Sequence, residues 1–169
     1  MQEERRIVVS ATTGYREETK LQNLSVIAAG LVKVPMEKAW RIVKDFERLP
    51  KVDERFLEAQ YFEPRQRLLI HMAVYGFHAK MILELRFGES GHAREIHFES
   101  VEGSFVGLKG KIRLEDDRRQ TTEISMTSDY SSASLPLPRI LMGVGLEVVA
   151  SNVAASMRSY IESSAEGSK

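Results

Sequence analysis

The sequence predicts an α+β fold in which an antiparallel sheet of about seven strands is covered on one face by a long C-terminal helix. Three observations lead there. A proline-led amphipathic stretch, VPMEKAWRIVKDFERLP, follows an apolar strand-like run. From Phe56 to Tyr130, strand-like runs alternate with short polar turns. Beyond that, apolar residues recur at helical spacing.

In the first strand, Leu24 to Val34, residues Val26, Ala28, Val32 and Val34 share one side, while Ser25 and Lys33 take the other. Pro35 ends this strand and suits the first turn of a helix, where its missing N–H would have had no partner. Met36, Ala39, Trp40, Val43 and Phe46 then recur at spacings of three and four, so one helix face is apolar, and Glu37, Lys38, Arg41 and Lys44 occupy the rest. Pro50 disfavours helical backbone at Leu49 and is expected to end a second short helical segment, Glu47 to Leu49.

The sheet continues through Phe56–Phe62, Leu68–Tyr75, Phe77–Phe87, Glu95–Val101, Phe105–Leu114 and Thr121–Tyr130. Short turns such as GESGH make antiparallel hairpins the natural connection. Alternation places Phe77, Ala79, Met81, Leu83, Leu85 and Phe87 on one face, continued by Ile96, Phe98, Val106, Leu108, Ile112, Leu114, Ile124, Met126 and Tyr130. Lys80, Glu84, Arg86, Lys109, Lys111, Arg113 and Glu123 fall on the other. A sheet with one apolar face needs a cover. The segment after PLP supplies it, with Met142, Leu146, Val149, Val153, Met157 and Tyr160 along one stripe. Gly143 and Gly145 inside that pattern carry a helix-propensity cost of about 0.5–1 kcal/mol each, which implies close packing or a bend.

Composition narrows the function classes. At 169 residues and 43% hydrophobic, the chain can form one domain with a sizeable core. Lys plus Arg equals Asp plus Glu at 24 each, so bulk charge draws the protein neither to nucleic acid nor to an anionic membrane. Cysteine is absent, which removes disulfides, thiol nucleophiles and thiolate metal sites and leaves the redox compartment open. The N-terminus lacks the apolar core of an intact secretory signal, and Arg139, Glu147 and Arg158 interrupt the most apolar helical region, so no membrane span is expected. The chain reads as soluble, with the cytoplasm as the expected location.

The order of strand, paired short helices, meander and long terminal helix resembles the helix-grip fold of the START, polyketide-cyclase and Bet v 1-like (SRPBCC) superfamily. The stretch VKVPMEKAWRIVKDFERLPKV is similar to that superfamily's entry pattern. SVEGSFVGLKGKIRLED is similar to the Gly-x-Phe-x-x-Leu-x-Gly strand of its coenzyme Q-binding and polyketide-cyclase-like branch, and TTEISMTSDYSSASLPLPRIL resembles that branch's last strand and lead into the terminal helix. The resemblance covers roughly Leu21 to Ile161. It sets off a START-like domain over 21–163, an N-terminal extension over 1–20 that reads as an added edge strand or a loose segment, and a flexible tail over 164–169.

The resemblance implies a curved sheet wrapped around the helix, with a cavity for an apolar ligand between them. The lining residues would be Met81, Leu83, Phe98, Val106, Leu108, Met126 and Tyr130 of the sheet and Met142, Leu146, Val149 and Val153 of the helix. Methionine adapts its shape, so such a wall suits flexible or aromatic ligands. The competing reading is a solid core.

Evidence for catalysis is thin. His78 and His97 alternate onto the polar side, His92 lies in a turn, and His71 sits on a strand whose two faces are both apolar. No HExxH, phosphate loop or nucleophile elbow occurs. Carboxylates alternate mostly away from the apolar face, which favours binding over acid–base chemistry. Tyr130 and His71 are the weak catalytic candidates; no cofactor and no metal are expected. The expected partner is therefore a hydrophobic small molecule, such as a lipid, isoprenoid quinone or polyketide-like compound, held without chemistry. The alternatives are a polyketide cyclase or dehydratase, and an interaction module resembling the ribosome-association toxins. No protein partner is assigned.

Overall fold

In the computed structural model, which describes residues 7–117, 120–142 and 144–167, Pro35 divides strand β2 (Leu21–Val32) from helix α1 (Met36–Val43). Ala39, Trp40 and Val43 bury one face of α1. Glu37 lies in the first turn and Arg41 in the last, where each complements the helix dipole. A 3₁₀ turn, Phe46–Arg48, leads into α2 (Leu49–Val52). Pro50 therefore does not close a helical segment as expected. It occupies the first turn of α2, where the lost N–H costs nothing.

Six further strands follow: β3 (Phe56–Phe62), β4 (Arg67–Val74), β5 (Phe77–Ser90), β6 (Ala93–Gly103), β7 (Lys109–Asp116) and β8 (Thr122–Ser132). With β1 (Val8–Arg16) they form one eight-stranded antiparallel sheet in the order β1-β2-β8-β7-β6-β5-β4-β3. The eighth strand beyond the expected seven is β1, which extends the sheet past β2. The β2–β8 pairing brings distant segments together, and the buried Thr122 hydroxyl reinforces it by donating to the Val34 carbonyl at 2.7 Å.

Register fixes the inner face. Ala28, Met126, Ile112, Ile96 and Phe87 are successive cross-strand partners, forming one row across five strands. Ile96 and Leu114 are fully buried, and Leu68, Ile70, Met81, Leu83 and Leu85 complete a core into which Trp40, Val43 and Phe46 pack.

The terminal helix α3 spans Val144–Gly167. It takes in residues 164–167 of the stretch expected to be a tail, burying Ala165 in the core beside Ile161, and the last two residues lie outside the described ones. Gly145 explains part of the glycine content, since a Cβ there would collide with the Ile140 carbonyl of the preceding 3₁₀ turn, Arg139–Leu141. Gly143 lies outside the described residues. Along its length α3 approaches β1, β2, α1 and α2. The Glu162 carboxylate accepts the Lys33 N–H at 2.8 Å and ties its C-terminal half to the β2–α1 corner. No helix among the described residues is long and apolar enough to cross a membrane.

Candidate ligand-binding site

The space between sheet and α3 is closed at one end by α1. Trp40 meets Phe87 of β5 edge-on at 6.3 Å, Phe46 packs on Tyr61 of β3 at 5.3 Å, and Ile161 and Ala165 of α3 join the same core. Inner-face register also places Arg94 here, opposite Leu114. Its guanidinium stands over Trp40 at 5.7 Å and is paired bidentately with Glu37. This inward cation departs from the apolar alternation set by Ile96 and Phe98 on the same strand. It is tolerated because it lies at the sheet's end beside an acid.

The opposite end is closed by the turn between β6 and β7. Gly103 (φ +88°) can hold no side chain, since a Cβ would strike the Lys80 carbonyl, and Phe105 adopts a left-handed φ of 56°. That backbone folds the Phe105 ring inward, edge-on to Tyr130 at 5.3 Å and to Phe77 at 6.4 Å. The expected strand from Phe105 is corrected accordingly: residues 104–107 form a turn, and β7 begins at Lys109. Val106 is consequently 55% exposed and does not line the interior. Met142, 37% exposed in the extended lead into α3, does not either.

The other expected lining residues divide in two. Met81, Leu83, Tyr130 and Val149 are buried, whereas Phe98, Leu108, Met126, Leu146 and Val153 are half-buried. Met81 and Leu83 belong to the packed core, with Phe98 and Leu108 against it; Leu146, Val149 and Val153 of α3 do not join that core, although Ile161 and Ala165 do. The C-terminal end of the helix thus joins the main core, while in its N-terminal half Val149 is buried and Leu146 and Val153 are half-buried outside that core.

Polar groups are placed by the same pleat. His71 and His78 lie on the outer face, with His71 Nε2 and His78 Nδ1 2.9 Å apart. His71 and Tyr130 therefore occupy opposite faces of the sheet and cannot converge on one bound molecule. Glu95, also outward, is covered by His97, Lys111 and Arg113 at 3.2–3.5 Å; the His97 hydrogen bond, opposed by burial and aided by Lys111, holds its carboxyl below the usual range. Ser100 faces inward opposite Leu83 and donates to the Ser104 carbonyl. Asp53, after α2, is hydrogen-bonded to Ser156 of α3. Burial pushes its carboxyl up, but the Arg55 N–H, the Ser156 hydroxyl and the Arg55 guanidinium at 2.9 Å outweigh this and hold it below its ordinary value. No group of three or more metal-ligating side chains occurs among the described residues. Among the described residues the inner face of the sheet is mainly apolar, and His71, His78 and Glu95 lie on the other face.

A family profile described as polyketide cyclase / dehydrase and lipid transport matches residues 32–158. A search of curated proteins finds no match. Among solved structures, a STAR-related lipid transfer protein from Xanthomonas axonopodis superposes with a TM-score of 0.69 at 10% identity, covering 89% of this chain and 98% of that one. The Zhui aromatase/cyclase from Streptomyces sp. R1128 gives 0.64 at 14%, covering 85% and 94%, and a START superfamily protein from Mycobacterium smegmatis gives 0.63 at 16%, covering 86% and 99%. At these identities the likeness is one of fold, the START/Bet v 1 helix-grip arrangement.

Proposed function

The chain belongs to the polyketide cyclase/dehydrase and lipid-transport family, and from that premise we propose that it binds a hydrophobic small molecule between the sheet and the N-terminal half of α3. The observation that carries this is the uneven burial of apolar side chains: Ile161 and Ala165 of α3 are packed into the core, while Leu146 and Val153 of α3 and Phe98 and Met126 of the sheet's inner face remain half-buried. Apolar surface left unpacked inside a domain forgoes about 25 cal/mol per Å², and a bound apolar molecule recovers that stabilisation. Lipids, isoprenoid quinones and polyketide-like compounds fit such a wall, since half-buried methionine and aliphatic side chains adapt to flexible chains and rings.

Carriage is favoured over catalysis because Tyr130 has no partner among the histidines on its own face, His71 and His78 being turned outward. Native mass spectrometry of the purified protein, with titration of a fluorescent acyl-chain analogue, tests the proposal. A co-purifying apolar mass or saturable binding is the expected result; a protein that carries nothing and binds no analogue overturns it.

A further inference from the structure

A pocket of about 620 Å³ lies between α1, the Phe46 turn and the ends of the β3–β4 and β5–β6 hairpins. It takes none of the residues expected to line the interior, although Trp40, Phe46, Tyr61 and Phe87 also form the interior's end wall. We propose that this pocket is a second binding site, for small organic cations carrying an alkylated nitrogen.

Its floor is a continuous row of aromatic rings. Trp40 meets Phe87 at 6.3 Å, Phe87 meets Phe46 at 6.4 Å, and Phe46 meets Tyr61 at 5.3 Å. Ring faces attract cations through their quadrupoles, most strongly at tryptophan and most usefully for alkylated ammonium, which sheds water easily. The protein already uses this surface so. Lys44 Nζ stands 5.2 Å and Arg94 5.7 Å from the Trp40 centroid.

Charge at the rim decides the sign of the ligand. Arg94 is neutralised by Glu37, which leaves Lys44 facing Glu63 and Glu89 in the lining, one cation against two carboxylates. Burial and the neighbouring Glu63 raise the Tyr61 phenol above its ordinary range, so this ring adds no charge to the rim. Lys44 is an exposed, flexible side chain one helical turn from Trp40 and is the group that an incoming cation would displace. The volume exceeds that of a trimethylammonium group and leaves room for the body that carries it.

Trp40 is the only tryptophan in the chain, so tryptophan fluorescence reports from the wall of this pocket. Choline, its neutral carbon isostere 3,3-dimethyl-1-butanol, and the anion trimethylacetate are titrated at low ionic strength, with calorimetry alongside. Choline should bind about tenfold tighter than the alcohol, and trimethylacetate more weakly still. Lys44→Gln should strengthen choline binding several-fold by vacating the Trp40 face, and Glu89→Gln should weaken it several-fold. Both positions are exposed, so neither variant threatens the fold. Choline binding, read by calorimetry because the variant carries a second tryptophan, should also survive Val153→Trp, which fills the interior site. Equal binding of choline and the alcohol, preference for trimethylacetate, weakening by Lys44→Gln, or no binding of choline each overturns the proposal.

Discussion

The ring of Phe98 lies across its cross-strand partner Gly110, with its tip 2.5 Å from where a Cβ on that glycine would stand. The same Cβ would strike the Thr127 carbonyl of β8. Glycine at this point lets the aromatic ring fold over the backbone of β7 and stay half-buried on the inner face. Gly110→Ala should therefore destabilise the protein by about 1–3 kcal/mol, as overpacking does, and displace Phe98 from the interior. Urea unfolding gives the first effect and loss of analogue affinity the second; an unchanged midpoint would show that the strands spread apart without cost.

Filling the interior separates a ligand cavity from a solid core. Val153→Trp and Met126→Trp should lower the affinity for an acyl-chain analogue at least about tenfold while changing stability by less than about 1 kcal/mol, since the new ring occupies space that is already there. In a solid core, the same substitutions would cost about 1–3 kcal/mol. Thermal unfolding and analogue titration on each variant decide between them.

Asp53 makes a pH prediction. Its carboxyl titrates below its unfolded value, so its contribution to stability is complete above the unfolded pKa of about 3.9 and is lost as pH falls through the folded value. Asp53→Asn should cost about 1–3 kcal/mol at pH 7 by leaving Arg55 without its charge partner. It should also flatten the acid limb of the stability curve below about pH 4. Denaturant midpoints between pH 2 and pH 7 for the two proteins measure the difference.

The placement of His71 predicts silence. On the outer face beside His78, it touches nothing bound inside, so His71→Ala should leave analogue affinity within about twofold of the parent. Tyr130→Phe keeps the edge-on contact with Phe105 and should cost less than about 1 kcal/mol in stability. A tenfold loss of affinity on His71→Ala would mean that ligand sits on the other side of the sheet.

Much of the fold can be read from periodicity because burial repeats every second residue on β5 and β6 and every three to four on α1. β5 alternates from Phe77 to Phe87 with one exception, the outward but half-buried Ile82, and its inner residues are all buried or half-buried. The alternation misleads at Phe105 and Val106. There the left-handed backbone after Gly103 turns the chain, and a period-two count carried through the turn puts Val106 on the wrong side. Gly103 and Gly107, both with positive φ, were the available signal for that turn. Pro50 misleads for a related reason, since proline both ends helices and begins them, and only the tertiary course of the chain selects one.

By itself, the sequence determined an antiparallel sheet with one apolar face, a short amphipathic helix after Pro35 and a long helix to cover the face. Local spacing encodes which side of each element avoids water. The tertiary structure alone decided how those faces meet: that Ile161 and Ala165 of α3 join the main core while Leu146 and Val153 stay half-buried, that Arg94 reaches Trp40 and Glu37, and that four rings from α1, the Phe46 turn, β3 and β5 form one row. Each of these joins residues far apart in the chain through strand register and helix seating, and neither is written in the spacing of a single segment.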